Sequence, residues 1–240
     1  MKRNSYYWRK LHSLLGVIPL GGFIIVHVLT NYQAFERGPE GFANGVQFIN
    51  SLPLLPVLEI FGIYLPILFH GMYGLYMAYQ SNINSGQYTY SRNWAFTLQR
   101  ITGVLTFIFV FWHLYNTRFQ VYMGNITHDE LGSTMHQIAT NPAFFVVYVI
   151  GVLSAVFHFS NGIWAFLISW GITISPRAQK ISSYICMIVF VLVSALFILA
   201  LVAFTGDEFK DTTGFAFTWG SYFCYEVVCS VTFPIPKSSY

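Results

Sequence analysis

Five long apolar stretches dictate what this chain can become. They cover residues 11–32, 56–79, 96–119, 143–170 and 181–204. About 20 mainly apolar residues cross the hydrocarbon core of a bilayer as an α-helix. In lipid every backbone N–H and C=O must be satisfied within the protein, so only helices and closed barrels span. These runs are continuous rather than alternating, which favours helices over a β-barrel. Composition agrees: 9% of the residues are charged, against about 25% in soluble chains. The expected fold is an all-α membrane protein, a bundle of five transmembrane helices over residues 1–204, with a tail over 205–240.

The opening MKRNSYYWRKLHSLLGVIPLGGFIIVHVL has a basic head and an apolar body, as a signal peptide would. It has no A-x-A-like cleavage site, and the apolar run continues to about Thr30. It therefore reads as the first membrane helix. Lys2, Arg3, Arg9, Lys10, Arg92, Arg100, Arg177 and Lys180 fall on one side of such a bundle. Arg37, Arg118, Lys210 and Lys237 fall on the other, together with all nine acids. The positive-inside rule makes the first side cytoplasmic. The N-terminus is then inside and the C-terminus outside. The tail is too short and mixed for a sixth helix; short strands, or a disulfide between Cys224 and Cys229, are open readings. With Cys186, these cysteines form neither C-x-x-C nor C-x-x-C-H, which argues against a cysteine-held cluster or a covalent c-type haem.

Four of the spans carry one central histidine each: His27, His70, His113 and His158. An imidazole in hydrocarbon is costly and needs a partner. At 1.5 Å per residue, His27 and His113 lie roughly 22 and 25 Å from the inner face, whereas His70 and His158 lie some 8 Å from it. Two layers of two histidines on separate helices suit two b-type haems, each iron taking one imidazole on either face. A zinc or copper site would gather its ligands at one depth and usually adds cysteine or carboxylate. A hydrogen-bonded proton relay is the other reading. His128 and His136 read as solvated loop residues. His12, beside Arg9 and Lys10, is expected either at the exposed interface or against a haem propionate, a quinone or a partner. Arg9, Arg92, Arg100 and Arg177 suit propionates or an acidic partner, and also plain inside-positive anchoring. Pro66 should bend the second helix four residues before His70. Gly71, Gly74, Gly151, Ser154 and Gly162 serve either helix packing or a flat ligand face.

The stretches RKLHSLLGVIP, SLPLLPVLEIFGIYLPILFHGMYGLY, GQYTYSRNWAFTLQRITG and GVLSAVFHFSNGIWAFLISWGITISPRAQKIS resemble the cytochrome b558 membrane anchors of bacterial succinate dehydrogenase, the single-chain, five-helix, dihaem type of Bacillus-like succinate:menaquinone oxidoreductases. The resemblance covers about residues 6–204 and puts the haem ligands on the same four histidines in the same pairs. It implies a multi-pass subunit of the bacterial cytoplasmic membrane and of respiratory complex II, serving the tricarboxylic acid cycle. It also implies a flavoprotein partner with FAD and an iron–sulfur partner on the cytoplasmic face. Electrons would pass from them through the inner and outer haems to menaquinone, at a site near the outer haem. Glu59 is a candidate for proton transfer there, unless it is only a water-exposed acid at a helix end. Asn31 and Gln33 are candidate quinone hydrogen-bond donors, and Arg9 and Arg100 candidate cofactor contacts. The alternatives are a fumarate reductase built from the same parts, the haem b subunit of a hydrogenase or formate dehydrogenase, and a transporter with a histidine relay.

Overall fold

The computed structural model describes residues 3–82 and 84–210. Readings made for the tail beyond Lys210, including its short strands and the Cys224–Cys229 pair, lie outside the described residues. Among the described residues five helical spans are long and apolar enough to cross a membrane. The first combines α1 (Arg3–Val17) and α2 (Pro19–Asn50). The second runs through α3 (Leu55–Val57), a π-helical turn (Leu58–Tyr64) and α4 (Leu65–Tyr79). The third is α5 (Ser91–Asn116) with α6 (Arg118–Tyr122). After α7 (Leu131–Thr140), α8 (Pro142–Ser169) and α9 (Pro176–Ala203) complete the set.

Helix starts follow local chemistry. Asn141 caps α8 by accepting from the Ala143 and Phe144 N–H groups, and Ser175 caps α9 by accepting from Ala178. A proline follows each cap, where its missing N–H costs nothing. In the second span the expected bend is a π-helical turn just before Pro66, and the Leu65 N–H reaches back five residues to Ile60 O.

Helix α8 is central, packed on α1, α5, α7 and α9, while α2 packs on α9 and α1 on α4. Lys10 donates to the Ser169 carbonyl, and Arg92 to Gln179 Oε1 at 3.0 Å. The starts of α1, α5 and α9 and the end of α8 thus share one end of the bundle, here called the basic end.

The opposite, acidic end departs from expectation. Residues 33–50 and 131–140 are helical rather than loop. Gly38 (φ 64°, ψ −154°) breaks α2 with a conformation few side chains tolerate. The chain then doubles back, until a Cβ on Gly45 would stand 2.9 Å from Thr30 Cγ2. Ala34, Phe42, Met135, Ile138, Tyr148, Leu201, Phe204 and Phe209 form one buried apolar cluster there. Within the spans many apolar side chains instead face outward, Ile188 and Leu192 among them, because lipid is as good a solvent for them as a core. The bundle boundary expected at residue 204 moves outward: Phe209 packs on Phe204, ring centroids 4.9 Å apart.

Candidate functional site

His70 on α4 and His158 on α8 face each other with ring centroids 6.0 Å apart and planes at 84°. Each is anchored from behind. His70 Nδ1 lies 2.9 Å from the His12 carbonyl, and His158 Nδ1 lies 3.0 Å from the Gln99 carbonyl. A carbonyl only accepts, so these contacts are satisfied by an Nδ1–H tautomer that leaves each Nε2 with a lone pair, and the Gln99 amide nitrogen also lies 3.2 Å from His158 Nδ1. Gln99 is fixed in turn: its Nε2 donates to the His158 carbonyl at 2.9 Å, and its Oε1 accepts from Asn161 at 2.7 Å. Glycine makes the close approach possible. A Cβ on Gly16 would lie 2.8 Å from His70 Nδ1, and one on Gly103 2.8 Å from His158 Cε1.

His27 on α2 and His113 on α5 form the second pair, centroids 5.8 Å apart and planes at 72°. His113 Nδ1 lies 3.0 Å from the Tyr148 hydroxyl, which itself reaches Met135 Sδ at 3.7 Å. A hydroxyl donating to the sulfur keeps its oxygen free to accept an Nδ1–H. Asn31 donates to the His27 carbonyl at 2.8 Å, and its amide nitrogen lies 3.4 Å from His27 Nδ1. Presenting the amide oxygen to an Nδ1–H there takes a turn of the Asn31 amide.

The two pairs suit a metal held between imidazoles. A ring nitrogen bonds a first-row metal at about 2.0 Å, and two rings on opposite sides of one ion then have centroids about 6 Å apart. Ligand histidines characteristically donate their other N–H to a carbonyl or similar acceptor. No group of three or more His, Cys, Asp or Glu residues converges as a metal site among the described residues. That fits two ligands per ion with the remaining positions filled by a macrocycle, and not a closed zinc site. Near the basic-end pair the Arg100 Nε is buried without a hydrogen-bond partner among the described residues, while its Nη1 donates to Phe96 O at 3.0 Å. Arg9 repels it. Such a guanidinium calls for an anion, and a haem propionate supplies one.

At the acidic end Glu59, Arg118, Tyr122, Tyr64 and His128 gather. Arg118 Nη2 is 2.6 Å from Glu59 Oε1, and the Tyr122 hydroxyl donates to Glu59 Oε2. Tyr64 is hydrogen-bonded to Tyr122. His128 Nδ1 lies 3.4 Å from Arg118 Nη1. Burial, and then the Arg118 charge, hold the His128 imidazole below its usual range.

Several expectations change. Glu59 is 8% exposed and ion-paired, so the water-exposed helix-end acid is set aside. His12 is not an exposed interfacial residue: its ring stacks on His70, centroids 3.9 Å apart and planes 9° from parallel. His136 is buried rather than solvated, its Nδ1–H donating to the Phe204 carbonyl at 2.9 Å. His128 does lie in the loop between α6 and α7, partly exposed as expected. Gln33 lies off the His27 face, and its amide donates to Glu36 at 3.3 Å. Gly71 and Gly151 receive Phe107 and Phe109 of α5, the helix-packing reading. Gly16, Gly103, Gln99, Tyr148 and Arg118 were missed as supports. Gln99 and Tyr148 carried a faint signal as polar groups deep in apolar runs.

A five-span bundle whose part-buried histidines, one on each of four spans, meet in two pairs is the architecture of a membrane-embedded subunit that can hold a group between its helices. The family described as succinate dehydrogenase/fumarate reductase transmembrane subunit matches residues 77–201. The succinate dehydrogenase cytochrome b558 subunit of Bacillus subtilis (strain 168) is 48% identical over 201 residues, which is 84% of this chain and 98% of that one. The chain belongs to the succinate dehydrogenase/fumarate reductase transmembrane subunit family. The hydrogenase, formate dehydrogenase and transporter readings fall away.

Proposed function

We propose that the chain is the dihaem cytochrome b anchor of a succinate:menaquinone oxidoreductase in the bacterial cytoplasmic membrane, its basic end facing the cytoplasm. The observation that carries this is the pairing of His27 with His113 and His70 with His158, each pair near 6 Å between centroids on separate helices. These imidazoles would hold two b-type haems, which when bound supply reversible one-electron exchange. The chain's own residues fix the ligand tautomers through His12 O, Gln99 O and Tyr148. Arg100, with Arg9 beside it, neutralises propionate charge. The flavoprotein with FAD and the iron–sulfur subunit dock at the basic end, near the His70–His158 layer. Succinate is oxidised on those partners, and electrons leave to menaquinone near the His27–His113 layer.

On the acidic side Glu59, paired with Arg118, is the candidate for proton transfer in quinone chemistry. Asn31, one turn past His27, is the nearer hydrogen-bond donor, and Gln33, turned to Glu36, is a weaker candidate than its position in sequence implied.

The test is a haem-to-protein ratio together with a reduced-minus-oxidised spectrum of the purified complex. Two low-spin haems per chain are expected; a ratio of one or zero overturns the reading. Iron–sulfur partner crosslinks should map to the segments around Arg9, Arg92 and Arg177. Crosslinks confined to residues 36–50 or 125–141 would reverse the assigned orientation.

A further inference from the structure

A groove of about 510 Å³ opens on the side of the bundle between α5, α8 and α9, near the basic end. It lies apart from the histidine pairs. Arg92 and Lys180 stand at its rim, Ser160 lies on its floor, and Phe157, Met187 and Phe190 wall its deeper part. Arg92 is held in place by Gln179 Oε1 at 3.0 Å and by the Trp164 ring, 5.6 Å from the guanidinium carbon. Among the described residues no acidic one lines the groove. Ser160 is 2% exposed and its hydroxyl has no hydrogen-bond partner among the described residues.

The order of these groups along the membrane normal is specific. Trp164 is level with Arg92. Ser160 lies one helical turn deeper, about 6 Å. Phe157, Met187 and Phe190 lie deeper again. Cation, hydroxyl donor, then hydrocarbon wall matches the phosphate, ester and acyl chain of a glycerophospholipid. Basic pockets between transmembrane helices suit anionic headgroups. The deep walls belong to membrane-spanning helices, with Met187 half exposed toward lipid. The occupant therefore comes from the bilayer and is not a soluble protein. A quinone head is neutral and gains nothing from the two cations at the rim.

We propose that this groove binds an anionic glycerophospholipid of the leaflet at the basic end. Its phosphate sits between Arg92 and Lys180, one ester carbonyl accepts from Ser160 Oγ, and one acyl chain runs along Phe157, Met187 and Phe190.

The experiment uses the complete complex, purified, delipidated and titrated with phosphatidylglycerol or phosphatidylcholine, with bound lipid read by native mass spectrometry. Phosphatidylglycerol should be retained about thirtyfold more tightly, the effect expected of two cations at a headgroup. Arg92→Gln with Lys180→Gln should bring that preference close to unity. Lys180→Gln alone, at an exposed rim position, should lower it if the double variant does not assemble. Ser160→Ala should weaken both lipids alike, since both carry the ester. Equal retention of the two lipids by the wild type, or a preference untouched by Lys180→Gln, overturns the proposal. So does a photoreactive menaquinone analogue that labels Met187 or Phe157 and is not displaced by phosphatidylglycerol.

Discussion

Arg118 Nη2 stands 2.6 Å from Glu59 Oε1, tying the third span to the π-helical turn of the second at the acidic end. Both side chains are largely buried, and 59 positions separate them in sequence. Removing one partner of such a pair strands the other charge, at a cost of about 3–5 kcal/mol. π-helical turns recur at functional sites, which makes the location a fitting one for quinone-linked proton transfer.

Glu59→Gln should therefore lower both the melting temperature of the complex and its quinone reductase activity. Glu59→Gln combined with Arg118→Gln should recover most of the melting temperature, because no buried charge is left alone. Turnover that stays low in the thermally restored double variant assigns the carboxylate to proton transfer. Turnover that returns with stability leaves the pair a structural tie.

His70→Ala should abolish the haem nearer the basic end and leave the other's low-spin signal, and His158→Ala should do the same. Electron paramagnetic resonance of the assembled complex separates the two. Unchanged signals from both haems after either substitution would show the pairing to be wrong.

Tyr148→Phe removes the hydroxyl behind His113 while keeping the ring packed against Phe109 and Trp112. Outer-shell partners of this kind are typically worth about 10–100-fold in metal affinity. The variant should lose haem more readily from the acidic-end site alone. A potentiometric titration should show that site's midpoint moving upward as ligand basicity falls, with the basic-end site unmoved. Equal shifts at both sites would contradict the assignment.

His128 gives a pH dependence. Its folded-state value lies below its unfolded value, through burial first and Arg118 second. The neutral form is thus the one the fold accepts. The stability linked to it is complete above the ordinary histidine range, near pH 6.5. It is lost as pH falls from there toward the folded value, where the unfolded chain binds a proton the folded one refuses. Asp129→Asn removes a charge that opposes this shift. It should move the His128 midpoint lower still, measured by NMR of histidine-labelled protein in detergent. A midpoint that rises would refute the account.

Hydropathy alone located all five spans, because lipid imposes one rule on the whole length of each. Depth counting likewise grouped His27 with His113 and His70 with His158, since a straight helix converts residue number into height. It failed where lipid gives way to water. Residues 33–50 and 131–140 look polar and loop-like, yet they fold as helices around Phe42, Met135 and Phe204. His136 is buried there because the Phe204 carbonyl, left over at the end of α9, needed a donor. The Glu59–Arg118 tie was equally hidden: nothing in either local stretch announces a partner on another helix. Gly16 and Gly103 gave no signal either, since among many glycines only contact reveals which ones carry an imidazole.

The three firmly backed histidines are not held by equivalent groups. His70 and His158 lean on main-chain carbonyls at positions 12 and 99, whereas His113 leans on a tyrosine hydroxyl. A carbonyl is encoded by no particular codon, so no single base change at either position can delete it. The hydroxyl can be lost in one step. Sequence drift can therefore remove the acceptor behind His113 in one step, whereas the acceptors behind His70 and His158 are lost only if the backbone at positions 12 and 99 moves.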